Sequence, residues 1–304
     1  MKKTILLVML TAMFLFAQQG TVKELYGNGV LKKVEIYQAG KLDGTCRYYN
    51  ETGIINKVLN YSRGALNGGC YFYYESGIIK ERITYKNDKY DGEYFSYFPA
   101  GVLKEVGTYS NGLLDGNFKG YYDSGQPLSV SFFKYGLKQG KVFEYYRNGQ
   151  LKAEAEYKDD RQNGTTKWYY EDGNLKGEWT FIEGNLNGEG REFAANGNPV
   201  YIKHYAHAKL DGLVTLFNDD GGLKSESNYS KGMRSGITRS YYENGKVWTE
   251  QNFEHDKING ESKTYRKDGT LWFIETYDNG DIVSTKEFSE TGDLLKEEII
   301  KKID

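Results

Sequence analysis

Three histidines, two cysteines and one recurring acidic position are the side chains here that could do chemistry. His204 and His207 lie three residues apart, a spacing that lets two imidazoles share a metal ion on a helix. The stretch around them reads as strand and turn, and no Cys or acidic third ligand keeps a fixed spacing to them. Surface histidines are therefore expected, and His255 falls in a turn with no evident partner. Asp43, Asp91, Asp115 and Asp211 recur in one position, but Asn67, Asn163, Asn187 and Asn259 fill the same position without change of phase. Acid–base chemistry needs a titrating carboxyl, whereas a turn accepts Asn and Asp alike. No nucleophile elbow or phosphate-binding loop is present, and the Gly-x-Gly fragments read as turns. The expectation is a chain with no catalytic residue, no metal and no cofactor.

Cys46 and Cys70 occupy equivalent places in consecutive repeats. Equivalent residues of neighbouring hairpins lie two strands apart, about 9.6 Å at ~4.8 Å per strand. A disulfide requires Cα atoms roughly 4.4–6.8 Å apart. The two thiols are expected not to be bonded to each other.

The elements that position these residues are dictated by a repeat. Gly stands at 29, 53, 77, 101, 125, 149, 173, 197, 221, 245 and 269, an unbroken spacing of 24. A second Gly follows fifteen residues later, from Gly44 to Gly260, until Ser284 breaks the column and the last unit ends one residue short at Gly292. An aromatic stands eight residues after the first Gly in every unit, from Tyr37 to Tyr277. Another stands five after the second Gly, from Tyr49 to Tyr265. Eight of the ten second glycines follow Asp or Asn, a pairing that supplies the positive φ of a tight hairpin turn. Each unit thus reads as two turns and two strands, and the whole as an all-β, elongated single-layer antiparallel meander of tandem 24-residue β-hairpin repeats. Between Leu and Tyr the alternation is poor and both strand faces carry charge. The stabilising features are expected to be aromatic ladders and Gly-fixed turns rather than a sandwich core.

Composition agrees. Gly is 37 of 304 residues, Tyr 28 and Pro 3, while the apolar share is 38%, below the usual ~45–50%. Lys+Arg (40) and Asp+Glu (42) are interspersed, with no basic run to track phosphates, so nucleic acid is not an expected partner. Lys2 and Lys3 precede an apolar stretch from Ile5 to Ala17 that is too short to span a bilayer but suits a signal peptide. Its removal would take two Lys and no acid, moving the net charge from −2 to −4. The expected organisation is a signal peptide over 1–17 and a repeat array over 18–292, with about eleven repeats and an N-terminal half repeat. A C-terminal cap follows over 293–304, as a further first strand or, alternatively, a short helix. Export to the periplasm or cell surface follows from the leader.

The pattern G-x-L-K-x-E-x-x-Y-x-x-G-x-x-[DN]-G-x-x-x-x-Y-Y-x-x-G over residues 29 to 292 resembles the MORN repeats, in the variant form common in bacteria. The repeat around Gly184-Asn-Leu-Asn-Gly188-Glu-Gly190 comes nearest the type pattern. Elsewhere the Gly two after the second Gly is missing, as at Phe118 and Val142. The resemblance implies extended hairpin ladders used for protein contact and sometimes for lipid contact, and for some bacterial members a role as antitoxins.

The expected function is an exported, non-catalytic protein-binding scaffold. The alternatives are an antitoxin or immunity-type protein that neutralises a toxin by direct binding, and a lipid-contacting module. The partner is expected to be a protein, a toxin or an envelope component. One column offers a candidate surface. Next to the structural aromatic stand Tyr74, Phe98, Tyr122, Tyr146 and Tyr170, and again Tyr242, with Asn50, Ala194, Asn218 and Arg266 in the same place elsewhere. Successive residues of a strand point to opposite faces, so this column is expected either to cover the edge of the sheet near a turn or to present an aromatic strip to a partner.

Overall fold

The computed structural model describes residues 18–300; the expected leader over 1–17 and the last four residues lie outside the described residues. Among the described residues there are 29 strand segments, from Gly20–Leu25 to Leu294–Ile299, and no helix. They fall into two units, the first ending at Gly125 and the second beginning at Gln126. Within each unit consecutive strands pair antiparallel, as in Gly44–Tyr49 on Ile55–Ser62 and Gly164–Tyr169 on Leu175–Ile182. This is the all-β antiparallel meander that the repeat dictates. The segment after Gly292 continues it as a strand, not a helix.

The hairpin turn, however, does not sit where the Asp-Gly and Asn-Gly pairs place it. It lies four residues earlier, at Ala39–Gly40 (φ 49° and 76°), Asp159–Asp160 (50° and 64°), His207–Ala208 (49° and 61°) and their equivalents. Two consecutive residues at positive φ are the signature of a type I′ turn, whose twist matches the strands it joins. The Asp43-Gly44 pair instead forms a bulge. Tyr37 pairs with Leu42 and Val34 with Arg47, so the second strand carries more residues than the first across this interval. Gly44 takes φ 123° there, and Asp43 N–H donates to Ile36 O at 2.9 Å. A bulge and a tight turn both require positive φ, so a glycine column does not distinguish them. The first glycine column closes the other edge as read: Gly29 N–H donates to Tyr26 O at 2.9 Å, with φ 83°.

Both edges are bonded from one repeat to the next. At the type I′ edge turns donate to the strand of the preceding repeat, as in Gly64 N–H to Leu42 O (2.7 Å) and Gly184 N–H to Gln162 O (2.8 Å). At the other edge Asn28 Nδ2 donates to Glu51 O and Asn148 Nδ2 to Glu171 O (3.0 and 2.9 Å).

The sheet buries side chains although it is one layer thick. Alternate residues share a face. On the covered face a row of small or aliphatic residues runs through the strand centres: Cys46, Leu59, Cys70 and Ile83 in the first unit, Val142, Ala155 and Thr166 in the second, all buried. Larger residues from neighbouring positions close over them. Trp179 lies across Gly177 and Gly190 so closely that a Cβ at either would come within 2.6 Å of the indole. A second row on this face pairs the first aromatic column with a residue that the repeat pattern left unread: Tyr61 with Leu66, Tyr85 with Tyr90, Tyr109 with Leu114 and Phe181 with Leu186. In the first unit these rings meet edge to face, Tyr85–Tyr90 at 5.0 Å and Tyr90–Tyr109 at 5.2 Å. Such pairs add about 0.5–1.5 kcal/mol beyond burial.

Candidate protein-binding surface

The strip read from the sequence has a structural task. Tyr74, Phe98, Tyr122, Tyr146 and Tyr170 are half-buried beside the Gly29-type turn of their repeats. Tyr74 Oη donates to Tyr97 O, Tyr146 to Tyr169 O and Tyr170 to Phe193 O, at 2.7–2.9 Å. Each hydroxyl thus reaches the carbonyl of the structural aromatic one repeat ahead. Tyr26 and Tyr242, outside the five, make the same bond to Tyr49 O and Tyr265 O. Arg266 fills the column in the last complete repeat and delivers Nη2 to Phe288 O at 2.5 Å and Nη1 to Ser289 O at 3.2 Å. An Arg at this position therefore preserves the bond rather than interrupting it.

The neighbouring column, two positions after the Gly-29-type glycine plus one, was invisible to the repeat pattern as a partner of this strip. Lys32 Nζ stands 5.8 Å from the Tyr26 ring and Lys176 Nζ 5.5 Å from Tyr170. Trp248 takes the Lys place beside Tyr242, with ring centroids 6.0 Å apart. Beside Arg266 the place is taken by Trp272, with the guanidinium 5.3 Å from the ring. Cation and aromatic have exchanged columns with the contact retained. The exchange is legible in sequence once residues six apart across the turn are compared.

The open face carries the side chains that remain available. In the first unit its central row pairs Val34 with Arg47, Arg47 with Val58, Val58 with Tyr71, Arg82 with Phe95 and Phe95 with Val106. Arg82 lies 5.3 Å from the Phe95 ring. In the second unit the same row alternates in sign: Glu154, Lys167, Glu178 and Arg191, then Glu226, Arg239, Glu250 and Lys263. Arg239 Nε lies 2.7 Å from Glu250 Oε2, and Lys141 Nζ lies 2.6 Å from Glu154 Oε1. A shallow hollow in this face is lined by Lys141, Glu154, Glu156, Thr165, Lys167 and Glu178. Its walls are charged and paired, a surface for polar contact rather than an apolar ligand pocket.

The titratable groups are perturbed mainly by burial within the sheet. Burial pushes the Cys46 and Cys70 thiols up, and both are free and buried. They stand on strands separated by Ile55–Ser62, whose Leu59 pairs with Cys46. Glu35, 6% exposed, takes the central place on the covered face. Burial pushes its carboxyl up, but hydrogen bonds from Lys33, Tyr48 and Tyr37 outweigh that and hold it below the usual range. Burial drives Tyr48 far upward, and it brings Tyr94 up to about 12. His204 faces Glu189 at 3.3 Å and Leu213 O at 2.8 Å, while His207 sits in a type I′ turn. Among the described residues no three His, Cys, Asp or Glu side chains converge as a metal site.

The fold and its rows define a protein built of stacked β-hairpin repeats. A model of the MORN repeat variant matches residues 66–87, 90–111, 114–135, 138–159, 162–183, 210–231, 234–255 and 258–279, more than half of the chain. The chain belongs to the MORN repeat variant family. A comparison with curated proteins returned no match. Among solved structures, a crystal structure titled TcdB2-TccC3-TEV aligns with 13% identity and a TM-score of 0.19, over 91% of this chain and 19% of that one. The C-terminal WD40 domain of Sif2 aligns with 13% identity and a TM-score of 0.15, over 88% of this chain and 77% of that one. The Tc holotoxin pore of Photorhabdus luminescens aligns with 11% identity and a TM-score of 0.14, over 92% of this chain and 18% of that one. This chain thus spans about a fifth of the TcdB2-TccC3-TEV and Tc holotoxin pore chains it aligns with.

Proposed function

We propose that this protein is an exported, non-catalytic scaffold that holds a protein partner against the open face of its sheet. The observation that supports it is the in-register row of outward side chains. Backbone pairing fixes these residues at strand spacing, so a partner meets a rigid lattice and little ordering entropy is lost on binding. The row Val34, Arg47, Val58, Tyr71, Arg82, Phe95 mixes aliphatic, aromatic and Arg side chains, the composition favoured at interface centres. The partner is an extended or flat protein surface, met outside the cytoplasm once the leader has been removed.

The test is cross-linking capture from envelope fractions with two variants. Arg47→Ser with Tyr71→Ser and Phe95→Ser strips the open face and is expected to remove the captured species while the far-ultraviolet circular dichroism persists. Tyr122→Ser with Tyr146→Ser and Tyr170→Ser strips the turn-side column and is expected to lower the melting temperature. Undiminished capture by the open-face variant would overturn the placement, and capture lost only in the turn-side variant at unchanged melting would move the site to that column.

A further inference from the structure

We propose that the outer strand Leu294–Ile299 of one molecule pairs with the outer strand Gly20–Leu25 of a second copy, joining molecules head to tail through one repeat completed in trans.

The argument starts from phase. Leu294–Ile299 packs on its neighbour in the register of a first strand: Phe288 pairs with Leu294 and Glu287 with Lys296, as Tyr49 pairs with Ile55 and Tyr48 with Lys57. Gly20–Leu25 packs in the register of a second strand: Lys23 pairs with Val34 and Glu24 with Lys33, as Arg47 pairs with Val58 and Tyr48 with Lys57. The next strand that the array calls for beyond Leu294–Ile299 is a second strand, and Gly20–Leu25 is one. Among the described residues each pairs on one side only.

The register of that contact follows from the repeats. Within a repeat, Lys33 pairs with Tyr48 and Val34 with Arg47. Carried to the two outer strands, the rule sets Lys296 against Glu24 and Glu297 against Lys23. Both pairs are of opposite sign. The second belongs to the open-face row, where Glu178 faces Arg191 and Glu250 faces Lys263 in the same relation. That row ends in Lys286 opposite Glu297, 3.3 Å apart, and begins with Lys23 opposite Val34. Joining Glu297 to Lys23 adds to this row another pair of opposite sign, with Glu297 set between Lys286 and Lys23. Charged residues on an edge strand ordinarily discourage pairing. Here the charges that would meet attract, and like charges would meet in any pairing of Lys296 with Lys23 or Glu297 with Glu24. Exposure supports the same contact: Leu294, Leu295 and Ile299 are 51%, 63% and 76% exposed, an apolar edge that a further strand would cover.

A heterologous contact of this kind joins unlike ends and so builds rings or open chains of several copies, and association grows with concentration. The test is sedimentation of the full chain across a concentration series, with charge swaps. Wild type is expected to form progressively larger species. K23E/E24K and K296E/E297K each bring like charges together and are expected to need about tenfold or more higher concentration to associate. An equimolar mixture of the two variants restores opposite charges at every junction, and growth is expected to return. Wild type that stays monomeric throughout would overturn the proposal. So would association of K296E/E297K alone at wild-type concentrations, which is the result for pairing of two like outer strands, or failure of the mixture to recover when both variants show native circular dichroism.

Discussion

In the unit that ends at Gly125, the central rows hold Cys46, Leu59, Cys70 and Ile83 on the covered face and Val58, Tyr71, Phe95 and Val106 on the open face. In the unit that begins at Gln126, the corresponding places hold Val142, Ala155 and Val214 but also Thr166, Thr238 and Ser262 on the covered face, and the sign-alternating Glu and Lys or Arg residues on the open face. Turns and bulges are the same in both. What differs is what holds neighbouring strands side by side. Full burial of an Ile or Leu is worth about 1.5–3 kcal/mol, and an exposed ion pair about 0–1 kcal/mol. The first unit therefore draws more of its lateral cohesion from apolar contact, alongside the buried Glu35 and Ser96. The second relies more on backbone ladders, small buried residues and ion pairs. A fixed turn framework makes the rows interchangeable.

The largest effect that separates the units is expected from truncating the covered row. Ile83→Ala should cost about 2–4 kcal/mol, as other core truncations do, whereas Thr166→Ala should cost about 1 kcal/mol despite equal burial. Urea unfolding with site-resolved hydrogen exchange measures both, and equal losses would erase the distinction between the units. The bulge comes next. Gly164→Val places a β-branched residue at φ 124°, where even a Cβ meets Glu156 Oε2 at 2.6 Å, and should cost about 1–3 kcal/mol. Gly149→Val adds positive-φ strain in open space and should cost less.

Protonation sharpens the comparison on the covered face. Glu35 is held below the usual carboxylate range, so its contribution is complete above about pH 4.3 and is lost as pH falls through its lower folded value. Tyr94 is pushed up to about 12 by burial, so its contribution is complete below about pH 10 and is lost as pH rises toward 12. Melting of the first unit followed against pH should soften at both limits, and Glu35→Gln should flatten the acid limb. The smallest effects belong to the edge and the open face. Tyr170→Phe removes one hydroxyl bond and should cost about 1 kcal/mol. Glu250→Gln breaks the pair with Arg239 and should cost at most about 1 kcal/mol, a difference that fades in molar salt.

The repeat was legible because Gly, Tyr and Leu recur in columns, and columns of that kind specify strands and positive φ directly. The position of the hairpin turn was not. Asp43-Gly44 and Asn163-Gly164 look like turn pairs, while the residues that make the turn are less uniform: Gly fills the second place at 40, 64, 112, 136, 184, 232 and 280, but Asp or Ala fills it at 88, 160, 208 and 256. The neighbouring strand supplies the register that forces them into the left-handed region. The aromatic strip was visible as a column, yet only the structure shows where its hydroxyls point. Arg266 looked like a lapse because guanidinium and phenol are chemically unlike. As donors to a carbonyl they are equivalent. The open-face row alternates across strands 11 to 13 residues apart and thus escapes a search made along the chain.

The bonds that cross from one turn to the next have a bearing on how such a chain changes over generations. Gly64 to Leu42, Gly184 to Gln162 and Tyr170 to Phe193 each link positions about one period apart, and bonds of these kinds recur along the array. Removing or duplicating a whole period leaves every donor facing an acceptor of the same kind. Adding or losing one or two residues inside a strand inverts a face or orphans a bond. The molecule's length is therefore editable in whole-repeat steps and resists finer adjustment, much as a ruled tape can be cut only at its marks if the scale is to continue.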